Sequence, residues 1–298
     1  MNIAFFYPIP DQIPDGDTFG TPYDAIVNWL DVLARHSSRH QVTHARRISD
    51  TLPADIVVPM TSTNYYLGNA RRMDHDLEFL RQAGKTFVVL HHNQDVRVQP
   101  TPGDYPSAAW TKVACERLTE FRPQLVRMPV LKPIVEWERF ARPVVGTFGH
   151  IEPKKRTLEM SEAMRAIDAH FVAFGPDLLA GRYADYISHL RGFDVVLYPW
   201  RNRLEDCLEL CECSHFIFVL IPPKHSATGG CPSAPRMATL FNRPIIVVDD
   251  EDTYRQDGYY VYDSLQDIRR EHLDSMVPAS TAWGVDEYLD RMVAVAIA

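Results

Sequence analysis

The sequence predicts an α/β protein with two domains, each built around a parallel sheet, and a cleft between them. Short apolar runs alternate with helical segments along most of the chain, which is the pattern of repeated β-α units. The proline-rich stretch from Pro129 to Pro143 interrupts this alternation and is typical of a linker. We therefore expect a first domain at residues 1–135, a second at 136–283, and a C-terminal helix at 284–298 that packs back on the first. A cleft between two such domains is a natural ligand site.

In the first half, three strands alternate with three helices. The first helix has clear start signals, since Thr21 can act as its N-cap and Pro22 suits the first helical position. Its apolar residues Ile26, Leu30 and Leu33 share one face. The predicted elements are strands Asn2–Tyr7, Asp55–Met60 and Thr86–Leu90, and helices from Thr21 to about Arg35, Ala70–Ala83 and Ala108–Phe121.

The second half repeats the alternation. Its predicted strands are Val144–Phe148, Phe171–Phe174, Val195–Tyr198, Phe216–Ile221 and an apolar run ending at Asp250. Its predicted helices are Arg156–Ile167, a short one at Cys207–Cys213, one that begins near Pro235, and the last at Val285–Ile297. Parallel sheets with right-handed crossovers follow from such β-α repeats.

Composition excludes several classes of protein. Apolar residues make up 46% of the chain, an ordinary share for a soluble globular protein, and no apolar run reaches the length of a membrane span. The N-terminus lacks the basic segment of a secretory signal peptide. The five cysteines have no disulfide-framework spacing, so we expect reduced thiols in a cytoplasmic protein.

The formal net charge of −8 is unevenly distributed. Residues 1–142 carry 16 basic and 16 acidic residues, whereas the remainder carries 15 basic and 23 acidic ones. A nucleic-acid-binding protein usually shows a basic patch. Such a patch would have to lie in the first half, which contains the pairs Arg46-Arg47 and Arg71-Arg72. Ordinary solvated arginines are the alternative interpretation.

Two loops in the second half are suited to binding phosphate. Gly229-Gly230-Cys231-Pro232-Ser233 follows a predicted strand and leads into a helix whose first turn contains Arg236. In doubly wound sheets, ligands bind where strands end, and a helix N-terminus offers N–H groups to an anion. A cation in the first turn opposes the helix dipole, so a bound phosphate would account for Arg236. A solvated arginine is the alternative.

The other loop runs from Gly146 to Thr157 and contains Lys154-Lys155-Arg156 at a predicted helix start. A bound diphosphate accounts for three cations there better than helix electrostatics does. Neither a Walker phosphate loop nor a Gly-x-Gly-x-x-Gly motif is present. A solvent-facing basic run remains the alternative.

Metal binding has two weak candidates. Cys207, Cys211 and Cys213 cluster without the spacing of a usual zinc site. His91 and His92 could bind a metal together with Asp95, although histidines at strand ends more often form hydrogen bonds. We therefore predict no metal site. The sequence requires no divalent metal for activity, and stimulation of the activity by such a metal stays open as an alternative.

The layout resembles that of glycosyltransferases of the GT-B type, with two facing Rossmann-like domains, and Pro232–Arg236 looks like the donor segment of exostosin-type transferases. A closer resemblance is to the DNA β-glucosyltransferases of T-even bacteriophages. It is carried by four segments: Thr61–Gly68, His91–Val98 with Asp95-Val96-Arg97, Gly146–Phe148, and Arg236–Asp252.

The resemblance implies an inverting glycosyltransferase, located in the host cytoplasm if phage-encoded. It would move a sugar from a nucleotide sugar, expected to be a UDP-sugar, to a hydroxymethylated pyrimidine such as hydroxymethylcytosine in duplex DNA. Asp95 falls on the family's catalytic base, Thr147 on its Gly-loop hydroxyl and Arg236 on its diphosphate arginine. Lys154, Lys155 and Arg156 replace two loop arginines, and Thr239 replaces an acidic ribose contact.

The expected site residues form three groups. The expected base is Asp95; the expected donor contacts are Gly146, Thr147, Phe148, Lys154, Lys155, Arg156, Gly230, Ser233, Arg236 and Thr239; the expected acceptor contacts are Asn64, Tyr65, Arg71, Arg72 and Arg97. Two alternatives stay open. One is a glycosyltransferase for a polysaccharide, lipid or small molecule, and the other is a non-catalytic sugar-nucleotide-binding protein. The oligomeric state is not indicated.

Overall fold

The computed structural model describes most of the chain: residues 1–8, 24–61, 70–92, 98–149, 151, 153–175, 185–186, 188–190, 195–199, 208–220, 233–248, 254–279 and 284–298. Elements are numbered within these ranges. The strands of the first half are β1 (Asn2–Phe6), β2 (Gln41–Ala45), β3 (Ile56–Pro59), β4 (Thr86–Phe87), β5 (Val89–His91), β6 (Ser107–Ala109) and β7 (Gln124–Leu125). Those of the second half are β8 (Val144–Phe148), β9 (His170–Gly175), β10 (Val196–Pro199), β11 (His215–Val219), β12 (Ile245–Val248) and β13 (Tyr260–Tyr262).

Seven α-helices are described: α1 (Asp24–His36), α2 (Ala70–Gln82), α3 (Lys112–Arg117), α4 (Thr157–Ala166), α5 (Ser233–Met237), α6 (Arg270–Ser275) and α7 (Val285–Ile297). Short 3-10 helices occupy Ile48–Thr51, Thr119–Phe121, Pro153–Lys155, Leu208–Glu212, Ala238–Phe241, Arg255–Asp257 and Leu265–Asp267. None of the helices in the described ranges combines the length and apolar character that a membrane span requires.

The first-half strands form two parallel sheets that meet at one bridge. Their orders are β2-β1-β3-β4 and β5-β6-β7, and Met60, just after β3, pairs in parallel with Leu90 of β5. Together they follow the doubly wound pattern in which the chain changes direction between β1 and β3. In such sheets a ligand binds beyond the carboxyl ends of the two strands at that point.

The second half forms one six-stranded parallel sheet in the order β10-β9-β8-β11-β12-β13. Counted from β8, this is the 3-2-1-4-5-6 order of the Rossmann fold. Strands β8, β11 and β12 are buried on both faces, as their apolar sequences require. The predicted α/β fold class is therefore confirmed.

One apolar core runs through both halves. A single cluster of contacting buried side chains includes Trp29 and Leu30 of α1 together with Phe216 of β11 and Met237 of α5, and α1 packs against α5. Helix α7 also lies on the first half, where Trp110 Nε1 donates a hydrogen bond to Tyr288 Oη at 3.1 Å.

The segment Ala108–Phe121, predicted as one helix, contains the end of a strand and a shorter helix in the structure. Ser107–Ala109 is a strand buried on both faces, and only Lys112–Arg117 is α-helical. Thr111 is the N-cap, because its hydroxyl accepts a hydrogen bond from Ala114 N at 3.0 Å. A short apolar run without alternation does not distinguish strand from helix, which explains the error. Strands β2, β6, β7 and β13 were not predicted.

Candidate functional site

The two loops singled out by sequence follow neighbouring strands at the chain reversal of the second sheet. Strand β8 leads into the loop that begins at Gly149, and its neighbour β11 leads into the loop that ends at α5. Since parallel strands end at the same edge, both loops begin at the position where open α/β sheets bind ligands. Residues 221–232 of the second loop, including Gly230, lie outside the described residues.

The loop after β8 forms a basic turn, defined here as Pro153–Arg156. Gly149 has φ 118°, a conformation that favours glycine. Lys154 and Lys155 belong to a 3-10 turn, and Arg156 is the N-cap of α4 with φ 55°. The three cations therefore precede the helix instead of occupying its first turn. Lys154 is exposed, and the Arg156 Nε lies 3.8 Å from a carboxylate oxygen of Glu159.

The N-terminus of α4 already has a hydrogen-bond partner. The backbone N–H of Leu158 donates to Tyr186 Oη at 3.2 Å. Burial raises the pKa of Tyr186, so its hydroxyl stays neutral. Because this hydroxyl takes one of the free N–H groups of the helix, an anion at this turn would depend mainly on the side chains of Lys154, Lys155 and Arg156.

Three of the expected donor contacts, Gly146, Thr147 and Phe148, belong to β8 and are buried. A Cβ atom at Gly146 would stand 2.6 Å from Cys213 Sγ and 3.1 Å from Phe216 Cε1, so the missing side chain makes room for packing. The Phe148 ring packs edge-on against Phe216 and Phe218. Thr147 is 8% exposed. The structure thus gives Gly146 and Phe148 a packing role and leaves Thr147 near the strand end.

Arg236, the expected phosphate contact, is buried in an ion pair. Its Nη2 donates to Asp257 Oδ2, and its Nη1 donates to Tyr259 Oη at 3.3 Å. The guanidinium carbon lies 4.9 Å and 5.1 Å from the ring centroids of Tyr254 and Tyr259. Arg236 is 1% exposed. Its charge is offset by Asp257, so the structure no longer requires a phosphate to account for it.

Thr239 also has an interior role in place of the expected ribose contact. Its Oγ1 accepts a hydrogen bond from Leu131 N at 3.0 Å and donates to Arg236 O at 2.6 Å. Leu131 belongs to the proline-rich stretch, so Thr239 attaches that stretch to the end of α5. Ser233 begins α5, and its side chain lies outside the described residues.

Four residues that follow strands of the first half come together at the carboxyl edge of its two joined sheets. Tyr7, Thr61, His92 and Trp110 follow β1, β3, β5 and β6. The His92 ring lies edge-on to Trp110 and Tyr7, with centroids 5.2 Å and 6.3 Å away. Burial lowers the pKa of His92 to about 4, opposed by a backbone hydrogen bond to Thr61. His92 is therefore neutral at physiological pH.

The expected acceptor side is described only in part. Asp95, Asn64, Tyr65 and Arg97 lie outside the described residues, as does the Arg71 side chain. Arg72 is exposed in the first turn of α2, which follows β3. Within the described ranges, no group of three or more His, Cys, Asp or Glu side chains is arranged to bind a metal ion.

Sequence reasoning missed Trp110, Tyr186 and Asp257. Trp110 lay inside a segment predicted as a helix, and recognising β6 would have placed it at a strand end. Tyr186 accepts a hydrogen bond from a residue 28 positions away along the chain, and Asp257 accepts one from a residue 21 positions away. Neither has a local sequence signal, so only the tertiary structure reveals the two contacts.

Comparison of the sequence with protein-family models found no match. No match was found among curated proteins either.

Solved structures share the fold over nearly the whole chain. AviGT4, a glycosyltransferase involved in Avilamycin A biosynthesis, is 15% identical with a TM-score of 0.65, covering 99% of this chain and 97% of that one. Anabaena HepE in complex with UDP-glucose is 10% identical with a TM-score of 0.55, covering 99% and 92%.

A third similar structure is an alpha-glucosyltransferase in complex with UDP-glucose and DNA containing an abasic site. It is 10% identical with a TM-score of 0.51, covering 99% of this chain and 90% of that one. At these identities the likeness concerns the fold, and it agrees with the strand orders in both halves of the chain. The chain therefore has the GT-B fold, two Rossmann-like halves with a cleft between them.

Proposed function

We propose that the protein is a glycosyltransferase that moves a sugar from a nucleoside diphosphate sugar to a hydroxyl group. The observation that carries this proposal is the basic turn at the chain reversal of the second sheet. It follows β8, and the adjacent strand β11 precedes the segment that leads into α5. The GT-B fold is shared with three transferases or UDP-glucose complexes, which supports a UDP-sugar as the donor.

In this proposal the diphosphate contacts the side chains of Lys154, Lys155 and Arg156, close to Thr147 at the end of β8. Gly230 in the segment after β11 and Ser233 at the start of α5 complete the donor site. The positive charges stabilise the negative charge that develops on the leaving diphosphate. Arg236 and Thr239 support this region from the interior and do not contact the donor.

The sequence resemblance supports an inverting reaction with its base in the segment after β5. The resemblance assigns this role to Asp95. The acceptor hydroxyl loses its proton, its oxygen attacks the anomeric carbon, and the bond to the diphosphate breaks with its electron pair. Holding both substrates in one cleft contributes proximity and excludes water. Nuclear magnetic resonance of the product's anomeric proton would establish whether the configuration is inverted.

For the acceptor we propose a hydroxymethylated pyrimidine, such as hydroxymethylcytosine, in duplex DNA. Arg46 and Arg47 directly follow β2, and Arg71 and Arg72 begin the helix after β3. All four therefore belong to the carboxyl edge of the first sheet. Arginines there can bind phosphates while the target base is flipped out of the stack. The DNA complex of a structurally similar glucosyltransferase supports this choice.

The decisive experiment is a transfer assay with a panel of nucleotide sugars. Hydroxymethylated duplex, unmodified duplex and small hydroxyl acceptors are incubated with the protein, and the products are identified by mass spectrometry. Transfer to the hydroxymethylated duplex alone is the expected result. Binding of a nucleotide sugar without transfer to any acceptor would contradict the proposal and indicate a non-catalytic binding protein.

A polysaccharide, lipid or small-molecule acceptor is the second candidate. AviGT4, with a TM-score of 0.65, is involved in the biosynthesis of avilamycin A, and the net charge of −8 is unfavourable for a DNA-binding protein. Transfer to small acceptors, with none to hydroxymethylated duplex, would establish this alternative.

The basic turn leads to a prediction about donor affinity. Replacing Lys154 and Arg156 by Ala should weaken binding of a nucleoside diphosphate by roughly tenfold or more per residue, the scale of a charge-assisted hydrogen bond. Calorimetry with the diphosphate and with the phosphate-free nucleoside separates charge from base recognition. Arg165→Ala is the matched control, because Arg165 is exposed at the opposite end of α4. Equal diphosphate affinity in all variants would refute the assignment.

The arginines of the first sheet lead to a prediction about DNA affinity. Arg72→Glu should weaken binding to hydroxymethylated duplex and reduce its dependence on salt, because a phosphate contact releases counterions. Donor binding should not change. Arg81→Glu is the matched control, since Arg81 is exposed at the other end of α2 and pairs there with Glu78. If the two variants bind DNA alike across a salt titration, the DNA surface lies elsewhere.

A further inference from the structure

A cavity of about 270 Å³ lies where the chain passes from one half of the molecule to the other. One wall is formed by residues 130–133 of the proline-rich stretch, which leads from the first half into the second. Another wall is formed by Pro278, Ala279 and Gly284, described residues that lead back from the second half to α7. Both chain connections between the halves therefore line this cavity.

The cavity is separate from the donor region. It is also lined by Asn242 and Ile245, which precede or begin β12. The basic turn follows the end of β8, and β8, β11 and β12 are parallel. The cavity thus lies at the amino edge of the second sheet, whereas the basic turn lies beyond its carboxyl edge. Thr239 lines the cavity as well, but its hydroxyl is hydrogen-bonded to Leu131 N and Arg236 O.

Hydrogen bonds fix the two walls in place. The Leu131 N–H donates to Thr239 Oγ1 at 3.0 Å, which attaches the proline-rich stretch to the end of α5. The N–H of Val277, the residue before Pro278, donates to Tyr260 Oη of β13 at 3.0 Å. Small-molecule sites are usually largely formed before the ligand arrives, and these two bonds give the cavity that property.

The lining combines apolar surface with positive charge. Its apolar residues include Val130, Leu131, Pro133, Ile245 and Pro278. Lys132 and Arg243 are cations, and no carboxylate occurs among the described residues that line the cavity. A mostly apolar lining with a few polar groups is the usual composition of a small-molecule site, and such sites begin at about 300 Å³. The cavity therefore suits a small ligand with a negative charge.

The charge of Arg243 is only partly offset by its surroundings. Arg243 is 3% exposed, and its guanidinium donates hydrogen bonds to four backbone carbonyl groups, which are neutral. Its ion-pair partner, Glu138 Oε1 at 3.7 Å, belongs to a side chain that is 71% exposed. Solvent screens an exposed carboxylate. A positive potential therefore remains around Arg243, and Lys132 adds to it at the mouth of the cavity.

We propose that this cavity binds a small molecule that carries one anionic group on an apolar body. The anionic group pairs with the Lys132 ammonium and is attracted by the charge of Arg243. The apolar body displaces water from the surfaces of Val130, Ile245 and Pro278. This site is distinct from the donor region and does not depend on the proposed sugar transfer.

The test uses benzoate and phenyl phosphate, which carry the two common anionic groups on the same ring, and benzamide as the neutral analogue. Ligand-observed nuclear magnetic resonance measures the dissociation constant of each. At least one anion should bind roughly tenfold more tightly than benzamide, the scale of a charge-assisted hydrogen bond. The tighter of the two anions identifies a carboxylate or a phosphate as the preferred group. Equal affinities for all three probes, or no binding of either anion, would overturn the inference.

Two variants separate charge from space. Lys132→Gln should weaken binding of the anions roughly tenfold and leave that of benzamide unchanged. Lys112→Gln is the matched control, since Lys112 is 75% exposed on α3 and does not line the cavity. Val130→Phe should prevent binding of all three probes by filling the cavity. Anion affinity that is unchanged in Lys132→Gln would contradict the inference even if Val130→Phe fails to fold.

The location of the bound probe is checked with isoleucine methyl groups. Adding the tighter anion to the methyl-labelled wild-type protein should shift the signal of Ile245, identified with Ile245→Val, and not that of Ile56 in β3. Saturating uridine diphosphate should leave the anion affinity unchanged. Displacement of the anion by uridine diphosphate, with no shift at Ile245, would place the probe in the donor region. That result would overturn this inference and leave the proposed function standing.

Discussion

At the scale of single residues, the sheet of the second half is packed closely enough to require particular side chains. Gly146 faces Cys213 and Phe216, both fully buried. Arg243, 3% exposed, donates hydrogen bonds to the carbonyls of Cys213, Cys211 and Glu136. These contacts pack β8 against its neighbours and join the proline-rich stretch to the second sheet, and β8 leads into the basic turn.

Gly146→Ala should destabilise the protein by about 1–3 kcal/mol, because the new methyl group overlaps Cys213 Sγ and crowds the Phe216 ring. The free energy of unfolding is measured by urea denaturation. Gly84→Ala is not a suitable control, because Gly84 has φ 64° and an alanine there would be strained for a different reason. The second variant is Cys213→Ala in the Gly146→Ala background, which removes the overlapping sulfur atom and should recover part of the lost stability. No recovery would mean that Phe216, and not the thiol, limits the space.

At the scale of elements, α7 contributes to the first half although it is the last helix of the chain. Its buried face includes Tyr288, Leu289 and Met292. At its N-terminus the Asp286 carboxylate accepts hydrogen bonds from the Ser37 and Ser38 hydroxyls at 2.7 Å and 2.5 Å. Burial opposes ionisation, but these bonds and backbone N–H donors outweigh it and lower the pKa of Asp286 to about 2.

Asp286→Ala should therefore cost about 2 kcal/mol of stability near pH 7, the free energy that corresponds to this pKa shift. A lowered folded-state pKa stabilises the protein above the unfolded pKa, and this contribution is lost as the pH falls toward about 2. The difference between wild type and variant should be constant from neutral to mildly acidic pH and shrink below about pH 4. Urea denaturation across pH measures it.

Asp290→Ala is the control for this helix. Asp290 is 44% exposed and pairs with Arg39 and His40, so its removal should cost less than about 1 kcal/mol. Equal losses for Asp286→Ala and Asp290→Ala would mean that the Ser37 and Ser38 hydrogen bonds are not the main anchor.

At the scale of the whole molecule, one buried carboxylate connects the two halves. Asp257 pairs with Arg236 in the second half and accepts from Arg127 Nη1 of the first half at 3.5 Å. Arg236 is almost wholly buried, whereas the Arg127 side chain is 29% exposed. The Thr239 bond to Leu131 and the shared apolar core join the halves nearby, so their relative orientation depends on several contacts.

Asp257→Ala should cost about 3–5 kcal/mol, because it removes the carboxylate that offsets the buried charge of Arg236. Arg127→Ala should cost about 1 kcal/mol or less, since that pair is longer and partly solvated. Thermal and urea unfolding of both variants measure the difference. A mild effect of Asp257→Ala, comparable to that of Arg127→Ala, would show that Arg236 finds other compensation in the interior.

Local sequence patterns predict the fold class and identify the two segments that follow β8 and β11 at the chain reversal of the second sheet. Apolar periodicity and Gly/Pro placement are local properties, so β1, β8, α2 and α7 could be predicted closely from them. Short strands such as β6 could not, because a run of three buried residues has no period to distinguish it from helix. The role of Arg236 depends on tertiary contacts, since its partner Asp257 lies 21 residues away. Such contacts likewise decide that Gly146 serves packing and that His92 stands among three other strand ends, because side-chain environments form only when distant segments meet.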